Sequence, residues 1–153
     1  MPIRPEQRWL YPIDWPELSY LVRFKRAKGR CEGCGRPHGR VVRCLDDGRW
    51  YDKEAGHWRD GRGRKTRPPV NPELAQLSIP GLVGEPELPV RLTLVRLATA
   101  HLDWNPSNNA WRNLAAFCQR CHLLHDRREH QRQRKLTLFL RKALGDLFGG
   151  LYR

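Results

Sequence analysis

AHLDWNPSNNAWRNLAAFCQRCHLLHDRREH, residues 100–130, is the stretch on which the reading of this chain turns. It holds a histidine at the end of an apolar run, an Asn-rich loop, a C-x-x-C pair, and His and Asp residues at helical spacing. That is a concentration of metal-capable side chains well above the rest of the chain. Just upstream, VRLTLVRLATA (90–100) alternates apolar and polar residues, with Leu92, Leu94, Val95 and Leu97 as its β-prone positions. It predicts one strand that delivers His101 to its end. After the DWNPSNN turn, Trp111 and Leu114 are expected to anchor the loop. A helix should then run from Cys118 or Gln119 to about Gln133. His122 and Asp126 lie four apart and so share one helix face, with His125 three from His122. One face then offers an imidazole and a carboxylate to a cation.

The second half of the pattern lies far upstream. RCEGCGRPHG carries Cys31 and Cys34, matching the spacing of Cys118 and Cys121. Two C-x-x-C pairs in a reducing compartment point to metal rather than to disulfides. If folding brings the pairs together, four thiolates make a closed tetrahedral zinc site. Its role would be to clamp a small domain. Gly35 suits the tight turn such a knuckle needs. Cys44 is left over and is expected as a small buried strand residue.

The remaining chain is read as support. Residues 14–28 predict a helix, with Asp14 and Glu17 as a capping box, Pro16 in the first turn, Leu18, Leu21 and Val22 as its stripe, and Gly29 as its end. VVRCLDDGRWYD (41–52) predicts a hairpin around Asp46, Asp47 and Gly48. From 59 to 89 a basic, Gly-rich run gives way to Pro every few residues, which predicts a long loop or arm. LTLFLRKALGDLFGGLYR predicts a separate helix within 135–153. Leu136, Leu138, Phe139, Leu144 and Leu147 would be available for packing, with Gly149 and Gly150 closing it.

Charge and composition bound the function. With 29 Lys plus Arg against 16 Asp plus Glu, the 153-residue chain carries a net charge of +13. A polyanion is the simplest partner for that excess. Arg59, Arg62, Arg64, Lys65 and Arg67 in the arm, and Arg127, Arg128, Arg132, Arg134 and Lys135 near the last helix, are the expected phosphate contacts. No apolar run is long enough for a membrane span, and MPIRPEQRWLYPIDW lacks the apolar core of a signal peptide. A cytoplasmic protein without a membrane partner is expected. Its 39% hydrophobic content suits one domain over 1–153.

AHLDWNPSNN, the Asn113-Leu114 step and CQRCH together resemble the HNH nuclease motif of the His-Me finger (ββα-metal) superfamily, in its C-x-x-C-containing phage and prophage branch. The likeness is close over 100–130 and, through CEGCG, extends loosely over 14–130. It implies an α+β fold: a small zinc-stabilised ββα-metal core at 90–130, flanking N- and C-terminal helices, and a long basic and Pro-rich insertion. The implied activity is metal-dependent DNA cleavage or nicking that leaves 3′-hydroxyl and 5′-phosphate ends. His101 would then be the general base, Asn113 the residue that ties down the loop holding it, and His122 and Asp126 ligands of a catalytic Mg2+, Mn2+ or other divalent cation. Such chemistry needs a base of near-neutral pKa and a cation beside the phosphate oxygens.

The chain departs from this pattern at Ala100, where many relatives place a metal-binding His or Asp. Asp103 or a water would complete the cation's shell, or His101 itself would bind the metal, leaving His125 as the first alternate base. The alternative function is a zinc-stabilised nucleic-acid-binding module without catalysis.

Overall fold

Alternating strand patterns and tight turns build two antiparallel sheets in the computed structural model, which describes residues 5–69 and 90–149. The first sheet has the order β3-β2-β1-β4, from β1 (Val41–Cys44), β2 (Trp50–Asp52), β3 (His57–Arg59) and β4 (Arg91–Leu94). The second pairs β5 (Leu97–His101) with β6 (Leu114–Cys118). The chain is thus mixed α+β. The hairpin expected at 41–52 forms, closed by Leu45 N–H to the Arg49 carbonyl and Gly48 N–H to the Leu45 carbonyl.

The run at 90–100 is two strands in two sheets rather than one strand. Val95, almost fully buried, donates its N–H to the Arg40 carbonyl and accepts from Gly39 N–H, while Leu97 N–H donates to His38 Nδ1. These partners, supplied by a segment more than fifty positions upstream, turn the chain between β4 and β5. Alternation alone carries no trace of such a turn, because both halves keep a strand-like pattern.

The N-terminal helix is shorter than 14–28. α1 (Trp15–Tyr20) passes into a wider π-type turn over Leu21–Arg26. The capping box does not form, since the Asp14 side chain makes no capping hydrogen bond. The expected stripe is nonetheless used. Val22 is fully buried against Leu114 and Ala116 of β6, with Trp15 and Leu18 packed alongside. Burying a valine contributes about 1.5–3 kcal/mol.

The basic segment after β3 is not a free arm where it is described. Thr66 N–H donates to the Trp58 carbonyl, Lys65 bridges back to Arg59, and the Gly63 N–H closes a turn on Asp60. Gly63 has φ +84°, and a Cβ there would stand 2.7 Å from the Cys34 carbonyl oxygen, so the turn packs directly on the first cysteine pair. The Pro-rich part, 70–89, lies outside the described residues.

After β6 the chain enters α2 (Gln119–Gly149), a single helix of 31 residues in place of the two expected. Nothing between Gln133 and Leu136 breaks a helix: the sequence there is QRKL, without Gly or Pro. The N-terminal part of α2 packs on β5 and β6. Leu136, Leu138 and Phe139, expected to pack, are exposed; the side chains of Leu144 and Leu147 lie outside the described residues.

Candidate functional site

The first cysteine pair is a tight turn. Cys31 N–H donates to the Arg36 carbonyl and Gly35 N–H, at φ +75°, donates to the Cys31 carbonyl. The turn docks on β6 through two hydrogen bonds between Glu32 and the Ala116 backbone. Glu32 N–H donates to the Ala116 carbonyl, and Ala116 N–H donates to the Glu32 carboxylate at 2.6 Å. Arg26 grips the same carboxylate with two hydrogen bonds and reaches the Leu114 and Trp111 carbonyls. This docking brings Cys31 and Cys118, 87 positions apart in sequence, into contact, with Cys118 N–H 3.2 Å from Cys31 Sγ.

The sulfur atoms of Cys31, Cys34, Cys118 and Cys121 all lie within 4.8 Å of one another. Cys34 and Cys118 are 3.6 Å apart. Bonds of about 2.3 Å to a tetrahedral ion set sulfurs about 3.8 Å apart, so the cluster fits such an ion. Hydrogen bonds from the Cys121, Cys31 and Cys34 thiols push Cys118 strongly toward thiolate, and the bond to Cys118 pushes the Cys121 thiol up. A cation would remove that conflict by taking all four as thiolates. Cys44 is half-buried at the edge of this core rather than fully enclosed.

Arg36 is a residue the sequence did not single out. Only 3% exposed, its guanidinium lies 3.8 Å from Cys34 Sγ through Nη1, donates from Nη2 to the Gly48 carbonyl, and sits over the Trp50 ring. A buried positive charge needs compensation, and thiolates supply it. No sequence signal marked it among 29 Lys and Arg.

Along β5 and the start of α2, a polar cavity of about 680 Å3 opens to solvent. Its wall includes His101 from the end of β5, and His122, Asp126, Glu129 and His130 from α2. His101 and the His122–Asp126 pair line the same cavity; helical spacing had put only His122 and Asp126 on one face, and it was the resemblance that joined His101 to them. His101 is buried at 9% exposure and stacked on Trp15, with centroids 5.0 Å apart and planes 12° from parallel. Tyr11 meets it edge-on. Its Nε2 lies 3.0 Å from Asn109 Oδ1, whose amide is oriented by hydrogen bonds to the Pro106 and Ser107 carbonyls. Oδ1 can only accept, so Nε2 is the donor of this bond, and in the neutral imidazole Nδ1 is then the acceptor. Trp15, Tyr11 and Asn109 were not identified from sequence as site residues. Only the Asn-rich character of the loop hinted at the last.

Asn113 ties the loop together. Its Oδ1 accepts from Asp103 N–H, and its Nδ2 donates to Asp103 Oδ1 and the Asn108 carbonyl. Asp103, read as a filler of a cation shell, is engaged instead inside the loop. Oδ1 takes Asn113 Nδ2 and Asn105 N–H, and Oδ2 takes Asn108 Nδ2. Those bonds, led by the one from Asn113, hold its carboxyl down at about 2. Ala100 is a small buried residue on the cavity wall.

On α2, His122 Nε2 lies 3.2 Å from Asp126 Oδ2, and burial pushes the His122 imidazole below its usual range. An imidazole and a carboxylate on one cavity wall are side chains of the type that could ligate a divalent cation. His125 points its two ring nitrogens at Asp126 Oδ1 and the Leu102 carbonyl, so it braces Asp126 and the loop and does not line the cavity.

The basic residues divide. Arg59 is committed to the fold: Nε meets Asp52 Oδ2 at 2.7 Å and Nη1 donates to the Gly63 carbonyl. Arg64 pairs with Asp60 and Arg132 with Glu129. Arg62, Lys65, Arg67, Arg127, Arg128, Arg134 and Lys135 are exposed. Among the described residues, no helix is long and apolar enough to cross a membrane. Neither a protein-family model, nor a curated protein, nor a solved structure matches this chain.

Proposed function

We propose that the protein is a metal-dependent DNA endonuclease or nickase of the HNH kind, with zinc in the four-cysteine cluster. The observation that carries this reading is that β5, a loop, β6 and α2 in succession place His101, His122 and Asp126 around a single cavity. With His101 neutral, its Nδ1 would take the proton of a water that attacks phosphorus in line. The P–O3′ bond opposite the water breaks and the departing 3′-oxygen takes a proton from solvent, leaving 5′-phosphate and 3′-hydroxyl ends. Trp15 and Asn109 fix the plane of the imidazole, and Asn113 with Asp103 fixes the loop. His122 and Asp126 would hold a Mg2+, Mn2+ or similar cation, which supplies charge for the phosphate oxygens. Four thiolates and no open position suit zinc in a structural role. The exposed arginines and lysines supply sequence-independent affinity for the DNA backbone.

Ala100 favours a second reading, a zinc-stabilised nucleic-acid-binding module without catalysis, since it offers no ligand where relatives of the resembled family carry one. A supercoiled plasmid separates the two. The nuclease converts it to nicked or linear forms with Mg2+ or Mn2+ and stops with EDTA. The binding module retards the plasmid and leaves it intact under both conditions.

A further inference from the structure

Trp104 stands out in the loop that follows His101. Its backbone has φ +59°, in the left-handed region that bulky side chains avoid, and its side chain is 44% exposed. The loop has Asn at 105, 108 and 109, residues that tolerate this conformation far better, yet tryptophan occupies the position. One flank of the indole rests on His125, with ring centroids 5.2 Å apart, and Trp104 lines the cavity that holds His101, His122 and Asp126. A large aromatic held at the edge of a functional cavity, in an unfavourable backbone conformation and without full burial, is not explained by packing.

We propose that Trp104 is a stacking site for an unpaired nucleobase beside the cleavage cavity. This rests on the nuclease reading for its biological setting, though not for its test. A ring face binds another ring face, and a paired duplex presents base edges in its grooves and hides the faces. The cavity wall combines Trp15 and Tyr11 with His122, Asp126 and His130 of α2. An unpaired or flipped nucleotide brings its base face to Trp104 while its phosphate lies toward His101. The preferred substrate is therefore single-stranded, bulged or locally opened DNA rather than fully paired duplex.

The test uses the full chain and oligonucleotides carrying 2-aminopurine, as a single strand, in a one-nucleotide bulge and in a paired duplex. Wild type and Trp104→Phe should quench the probe in the first two. Trp104→Gly and Trp104→Leu should lose the quench and bind those two about tenfold more weakly, with duplex affinity unchanged. Trp104→Gly should melt no lower than wild type, because it relieves the backbone. A Trp104→Leu protein that quenches and binds like wild type overturns the site. So does Trp104→Gly if it lowers the melting midpoint and all three affinities together. Should Trp104→Gly fail to fold, Trp104→Leu decides alone. If no plasmid is cleaved under any cation while the quench pattern holds, the nuclease reading falls and the base site stands. If cleavage proceeds but Trp104→Leu is silent, the site falls and the nuclease reading stands.

Discussion

The sulfur cluster and the polar cavity share the first turn of α2, yet they are built in opposite ways. Three of the four cysteines are buried, with apolar neighbours and one enclosed arginine around them. The cavity is open to solvent and walled by side chains that are mostly polar and partly exposed. Cys121 and His122, adjacent on α2, face one each. The thiol cluster and the polar cavity thus draw on different faces of the start of α2, so that substitutions on one side should leave the other largely intact.

The largest effect is expected from breaking the cluster. A structural four-thiolate ion contributes about 10 kcal/mol or more, comparable to the whole stability of a small domain. Cys118→Ser, or prolonged chelation, should abolish cooperative unfolding followed by circular dichroism and release close to one equivalent of zinc. Cys44→Ser should change stability by less than about 1 kcal/mol, because that thiol lies outside the cluster. A folded, metal-free Cys118→Ser protein would remove the contrast.

A smaller effect is expected where the knuckle docks on β6. Glu32→Ala leaves Ala116 N–H without its carboxylate and Arg26 without its main partner. A loss of about 1–3 kcal/mol in urea unfolding follows, with zinc content retained. Loss of the metal in this variant would mean that docking and cluster are one unit.

The smallest effect belongs to the loop of the cavity. Asp103 titrates at about 2 in the folded chain, below its usual 3.8, chiefly through Asn113. A depressed carboxyl favours folding above about pH 4 and loses that contribution as pH falls toward 2. An NMR titration should place Asp103 well below the usual carboxylate range, and Asn113→Ala should raise it. An Asp103 that titrates normally would show that the loop is not tied as described.

Much of this was legible because the decisive residues are contiguous. The strand leading to His101, the Asn-rich loop and the helix after Cys118 follow from alternation and i, i+4 spacing, and matched C-x-x-C pairs announce one another across the chain, whereas β6 was implied only by the ββα resemblance. What was hidden depends on partners distant in sequence. The turn at Val95 is made by Gly39, Arg40 and His38. His101 is fixed by Trp15 and Tyr11, which carry no motif. Arg59 reads as a phosphate contact until Asp52 claims it. The two-helix reading failed because no Gly or Pro interrupts the helix between Gln133 and Leu136, where it was expected to break, so it continues whether or not its apolar residues find a surface.

The claim that chemistry resides in the cavity and not in the cluster is tested most directly by following plasmid nicking against Mn2+ concentration for His101→Ala and His122→Ala, both checked for full zinc content. The account predicts that His101→Ala stays inactive at every concentration while retaining DNA binding, and that His122→Ala recovers part of its rate as Mn2+ rises. Recovery of His101→Ala by metal would contradict it, making His101 a ligand and leaving the base to be found elsewhere in the cavity.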